Sequence, residues 1–235
     1  MKPPVLPPVY SLALVERGRD PFAHARARLA RGVEDGLILL EDRGDRLELA
    51  LLLEPDRDRA ACLLLLPTLA VATADTLAAH LPPMMPVGLV WPQRLLVDGA
   101  EIGRLRFAIG PGPAEAPPAW LLLGVSLDLI GPASEPGRDP ERIGLAEAGA
   151  GEVDTARLAE SWSRHFLSWL DRLESEGFEP VRASWNARCH ERGRRATLVL
   201  AGRARTGTVG GLERDGAFRL GETRLSLDTV LGELG

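Results

Sequence analysis

The chain has 235 residues, 45% of them hydrophobic, an ordinary share for a globular protein and too rich for disorder. A formal charge of -5 disfavours broad binding to nucleic acid or to an anionic membrane surface, so neither partner is expected. No apolar run approaches the ~20 residues of a membrane helix, and Met1-Lys2-Pro3-Pro4 lacks the apolar core of a signal peptide. The expected location is the cytoplasm of a bacterium.

In chain order, residues 1–9 are proline-rich and read as extended chain. Residues 21–31 read as a helix, with Asp20 as its cap and Pro21 at its first position. Residues 36–42 and 46–54 read as two strands joined by a Gly44-Asp45 turn, hence a hairpin. Residues 67–80 have helical composition and an apolar stripe through Leu69, Thr73 and Leu77. Pro82, Pro83 and Pro86 end that helix. Strands follow at about 87–91, 94–98, 101–109 and 119–129.

Residues 131–151 are rich in Gly, Pro and charge and read as a surface loop. Asp154 then caps a long amphipathic helix to about residue 175, with Leu158, Trp162, Phe166, Trp169 and Leu173 at helical spacing. That periodicity assigns its aromatics to the core. A second helix, about 179–191, carries Trp185. Residues 194–235 are short strands separated by glycine turns, the pattern of a small barrel. Strand runs with helices between them indicate α+β. The expected division is 1–192 for the larger domain and 193–235 for the smaller one.

The two cysteines, Cys62 and Cys189, have no paired spacing, so neither a disulfide nor a zinc framework is expected, and no metal site. Both read as structural thiols, Cys189 on the second helix. Lys2 is the only lysine of the chain; almost all positive charge is arginine.

Residues 91–107 read WPQRLLVDGAEIGRLRF. Trp91-Pro92 ends a strand, Asp98-Gly99 turns a hairpin, and the next strand opens at Glu101. This segment resembles the core of a biotin protein ligase, where Lys-Trp-Pro-Asn-Asp precedes the turn and Lys-Leu-Ala-Gly-Ile-Leu follows it. Leu123-Gly124-Val125-Ser126-Leu127-Asp128-Leu129 resembles the family's Ile-Gly-Ile-Gly-Ile-Asn-Leu strand. Glu176-Gly177-Phe178-Glu179-Pro180 with Trp185 is similar to its helix pair. Arg195–Leu220 is similar to its small C-terminal domain.

The resemblance covers most of the chain. It implies a biotin/lipoate ligase-like mixed sheet flanked by helices and followed by a small SH3-like barrel. It also implies a chain that begins near the catalytic-type domain, without the N-terminal DNA-binding domain some members carry. The implied chemistry joins biotin to AMP from ATP and passes the biotinyl group to a lysine of a carrier domain. Such steps need cations and N–H donors where negative charge develops.

The matching positions depart from the family pattern together. Glu101 stands where the reactive lysine belongs. Val90 replaces the lysine before Trp-Pro, Gln93 and Arg94 replace Asn-Asp, Arg104 replaces a glycine, and Asp128 replaces an asparagine. The family's Gly-Arg-Gly-Arg loop shrinks to Asp42-Arg43-Gly44-Asp45-Arg46. Arg17-Gly18-Arg19 looks like that loop but precedes the first helix, so the role is not transferred to it. A cation about 4 Å from a developing anion gains roughly 4 kcal/mol at an effective dielectric near 20, and a carboxylate reverses the sign.

The expectation is a fold retained without biotin adenylation, as a small-molecule- or protein-binding module. The alternative is a ligase or acyltransferase for biotin, lipoate or another carboxylic acid with a rewired site. No catalytic residue is assigned. The candidate ligand-binding residues are Arg43, Trp91, Gln93, Arg94, Glu101, Arg104, Ser126 and Asp128. On a regular strand Arg104 faces away from Glu101, because residues three apart point to opposite faces. The expected partners are a small carboxylic acid, a carrier domain or a second copy of the chain.

Overall fold

Alternation along the strands fixes how the sheet is clothed. A computed structural model describes residues 2–41, 44–131, 141–200 and 202–234. Seven strands form one mixed sheet: β1 (Ser11–Val15), β2 (Leu37–Glu41), β3 (Arg46–Leu53), β4 (Val87–Val90), β5 (Arg94–Val97), β6 (Ala100–Ile109) and β7 (Leu121–Asp128), in the order β1-β2-β3-β7-β6-β5-β4. Only β1 and β2 run parallel; the other neighbours are antiparallel.

On one face Leu47, Leu49 and Leu51 of β3, Leu123, Val125 and Leu127 of β7, and Leu105 and Phe107 of β6 join the main core. That face is covered by α3 (Leu65–His80) and α4 (Thr155–Glu176). Leu158, Trp162, Phe166 and Trp169 of α4 lie in the core, as their spacing predicts. Asp154 caps α4 by accepting a 2.8 Å hydrogen bond from Arg157 N.

The opposite face is only half covered. α1 (Pro21–Arg28) packs Phe22 and Ala25 against Leu37, Leu39, Ala50, Leu52 and Leu122. Asp20 caps α1 through a 2.9 Å bond from Phe22 N. Beyond α1 the same alternation presents Glu41, Glu48, Ser126, Arg104 and Arg106, so the uncovered half of this face is polar.

β1 and a short α2 (Arg59–Leu63) have no counterpart in the sequence reading. β1 is an edge strand with only β2 to pair with. The stretch Arg59–His80, containing α2 and α3, is long and apolar enough by composition to span a membrane, and 72% of its most apolar window is buried inside the fold. It is the central core element, so its hydrophobicity is used within the protein.

α5 (Glu179–Arg188) leads into a four-stranded antiparallel sheet of β8 (Arg195–Leu200), β9 (Arg203–Leu212), β10 (Phe218–Leu220) and β11 (Thr223–Leu225). Cys189 lies beyond the end of α5, contrary to the expected helical position. Its backbone is extended and bridges Leu89 of β4. Burial pushes the Cys189 thiol up to about 11, as it does that of Cys62, which disfavours the thiolate form of both. Asn186 joins α5 to β9: its Nδ2 donates to Leu212 O at 3.0 Å and its Oδ1 accepts from Leu212 N at 2.7 Å. Trp91 stacks on Phe218 with centroids 4.8 Å apart, so the two sheets share one core.

Candidate functional site

The uncovered half-face carries two adjoining clefts. The larger, about 420 Å³, is lined by Gly18, Arg19, Asp20, Glu41, Glu48, Gln93, Arg104, Leu105, Arg106, Ser126 and Leu234. The smaller, about 240 Å³, is lined by Arg46, Glu101, Gly103, Arg104, Ser126 and Arg142. Arg104 and Ser126 belong to both. Strand register explains the convergence: Glu48 and Arg104 flank Ser126 across β3, β7 and β6, and Arg46 sits opposite Asp128.

Glu101 is the most constrained of these residues. It is 7% exposed, and its two oxygens accept 2.5 Å hydrogen bonds from Arg104 Nε and Arg94 Nε. Burial alone would raise its pKa; the bonds and charges of Arg104 and Arg94 outweigh that and hold the carboxyl below the usual carboxylate range. Its backbone is also pinned: Glu101 N donates to Glu141 O at 2.7 Å, and Ile143 N donates to Glu101 O at 3.0 Å.

The expectation that Arg104 points away from Glu101 is incorrect. Leu96 pairs with Glu101 and Leu95 with Gly103, so Ile102 is an extra residue in β6. Such a bulge shifts the alternation by one. Ile102 turns into the core, and Glu101 and Arg104 share the cleft face. Gly103 is required beside it, because a Cβ there would lie 2.1 Å from Ser126 O.

A second carboxylate cluster lies next door. Asp128, 6% exposed, sits 2.9 Å from Arg46 Nε and 2.8 Å from a terminal guanidinium nitrogen of Arg142. Ser126 Oγ donates to Glu48 Oε1 at 2.8 Å. Burial drives the Glu48 carboxyl above its ordinary value, and the Ser126 bond and Arg46 only partly offset this. Glu41 is buried and accepts a bond from Gly18 N. Arg106 reaches Asp20 at 2.6 Å and lies over the Phe22 ring.

Of the eight candidate residues, Gln93, Glu101, Arg104 and Ser126 line the clefts, and Arg94 and Asp128 hold their walls through ion pairs. Trp91 is buried against Phe218 rather than facing a cleft, because the cis Trp91-Pro92 segment lies under the C-terminal sheet. Arg43 lies outside the described residues. Sequence reasoning did not name Asp20, Glu41, Arg46, Glu48, Gly103, Arg106 or Arg142 as site residues, and it set Gly18 and Arg19 aside. Glu41 and Glu48 had a signal, since each is a carboxylate inside an otherwise apolar strand. Gly18 and Arg19 had one too, the likeness of Arg17-Gly18-Arg19 to the family's loop, but it was set aside because the segment precedes the first helix; the parallel β1–β2 pairing carries that turn to the cleft. Among the described residues, no group of three or more His, Cys, Asp or Glu could hold a metal ion.

A mixed seven-stranded sheet thus carries helices on its core face and a charged cleft on the other. The Biotin/lipoate A/B protein ligase family matches residues 6–187, and the chain belongs to that family. It is similar to a biotin protein ligase-like protein of unknown function from Silicibacter sp. TM1040, at 33% identity over 97% of this chain and 98% of that one, with a TM-score of 0.85. Biotin protein ligase from Aquifex aeolicus shares the fold at 18% identity, covering 92% of this chain and 95% of the other with a TM-score of 0.74. The Aquifex enzyme has also been solved with biotin and ATP. A biotin–[acetyl-CoA-carboxylase] ligase from Paracoccus denitrificans is 29% identical over 157 residues, and that match spans 64% of this chain and 63% of the ligase.

Proposed function

We propose that this chain keeps the ligase fold without biotin adenylation or ligation, and that its cleft binds a small polar molecule. The observation that carries this reading is the double hydrogen bond of Glu101 to Arg94 and Arg104. Both arginines are the nearest substitutes for a missing lysine, and both already neutralise a buried carboxylate.

The other arginines around the cleft are also paired, with the buried Asp128 or with the solvent-exposed Asp20 and Glu16. Arg19 pairs with Glu16, Arg46 and Arg142 with Asp128, and Arg106 with Asp20. The larger cleft sets Arg19, Arg104 and Arg106 against Asp20, Glu41 and Glu48. A polyphosphate needs cations whose charge is not already spent, so ATP does not fit these residues. A mixed lining of donors and acceptors suits a small polar ligand instead.

The likeness to the Paracoccus ligase favours a second reading, a ligase or acyltransferase for biotin, lipoate or another carboxylic acid with a rewired site. That reading needs Arg94 or Arg104, 46% and 59% exposed at the side chain, to swing off Glu101 during turnover. Calorimetry with biotin, lipoate, ATP and biotinyl-AMP separates the two. The first reading expects no heat beyond dilution from ATP or biotinyl-AMP; tight binding of biotinyl-AMP would overturn it.

A further inference from the structure

A second pocket lies at the far end of β3, independent of the cleft. β3 runs from Arg46, in the cleft, to Leu53, and the length of this eight-residue strand sets the two roughly 23 Å apart. Leu53, Leu64, Leu170, Leu173 and Phe178, all half-buried, converge there around a cavity of about 460 Å³. α2 and the C-terminal turns of α4 bring them together. Half-buried apolar side chains are common singly; their convergence on one concave site of ligand size is the signature of a binding pocket.

The rim supplies the other half of the chemistry. Asp35, Glu54, Asp56 and Glu174 stand around it, and among the described residues Arg57 is the one cation lining it. Arg57 divides its charge between Glu174, at 3.6 Å, and Asp56, at 3.9 Å. Asp35 is oriented by a 2.8 Å bond from Glu54 N. An apolar floor under a carboxylate-rich rim complements a molecule with an apolar tail and a cationic head.

We infer that this pocket binds an amphipathic cation of the alkylammonium class, its tail among Leu53, Leu170, Leu173 and Phe178 and its head at the rim carboxylates. Anionic amphiphiles are disfavoured there by like charge, and short amines lack the apolar contact. Each methylene buried changes affinity about fourfold, so chain length is a direct readout of the floor.

The test is titration calorimetry on the full chain with octylammonium, hexylammonium and octanoate, each below its aggregation threshold. Octylammonium is expected to bind, hexylammonium about fifteenfold more weakly, and octanoate without measurable heat. Ala61→Trp, which fills the pocket from α2, is expected to abolish binding. The double variant Glu54→Lys/Glu174→Lys is expected to reverse the preference toward octanoate, and it tests the rim even if the tryptophan disturbs α2. Glu101→Gln, in the cleft, is expected to bind octylammonium as the native chain does. Absence of octylammonium binding at millimolar concentration, equal binding of octanoate, or unchanged binding by a folded Ala61→Trp would each overturn the inference.

Discussion

Arg104 donates from Nε to Oε1 of Glu101 at 2.5 Å, although the two residues are three apart on one strand. The bulge at Ile102 makes this contact possible. The contact makes Glu101 the anionic centre of an ion cluster that also holds Arg94.

Glu101→Gln should therefore destabilise the fold. Removing one partner of a buried pair leaves charge uncompensated, at about 3–5 kcal/mol for full burial. Both arginines are largely solvated, so the expected loss is about 1–2 kcal/mol. The depressed folded pKa means this stability is present above the ordinary value of 4.5 and is lost as pH falls through the folded pKa. Urea denaturation of both proteins between pH 7 and pH 3 checks this: the gap should be largest at neutral pH and close on acidification.

Glu48→Gln should act with the opposite sign. Burial raises the Glu48 carboxyl, so ionisation opposes folding at neutral pH. Stability from a raised carboxyl is fully present below its unfolded pKa and is lost as pH rises through the folded value. The amide keeps an acceptor for Ser126 and removes the buried charge. At pH 7 the variant should equal or exceed the native chain, by up to about 1 kcal/mol, in the same denaturation assay.

Gly103→Ala should be strongly destabilising, because its Cβ would meet Ser126 O at 2.1 Å. The strands β6 and β7 must separate to admit it, so a loss of about 2–3 kcal/mol is expected. Thermal unfolding followed by circular dichroism gives the value.

Asn186→Ala should loosen the C-terminal sheet. It deletes two bonds to the Leu212 backbone and leaves that buried N–H and C=O unpaired, at about 1–3 kcal/mol. Hydrogen exchange should show faster opening of β9 with little change in β3 and β7.

Most of the fold was legible in the sequence because its elements have strong, local signals. The β2–β3 hairpin, the four strands after α3 and the capped α4 with its aromatic stripe all follow from periodicity. β1 was missed because five residues behind a proline-rich start carry too little pattern, and its partner lies beyond α1. Glu101 was legible as an anomaly, but its partnership with Arg104 was not. A single extra residue reversed the face of everything after it, and no local propensity marks Ile102 as that residue. Gly18, Arg19 and Asp20 entered the cleft through long-range pairing.

The most direct test of lost adenylation is pyrophosphate release from ATP with biotin, lipoate and octanoate as carboxylic acids. No release above the protein-free background is expected with any of the three. Sustained release with any one of them, abolished by Arg94→Ala or Arg104→Ala, would contradict the account.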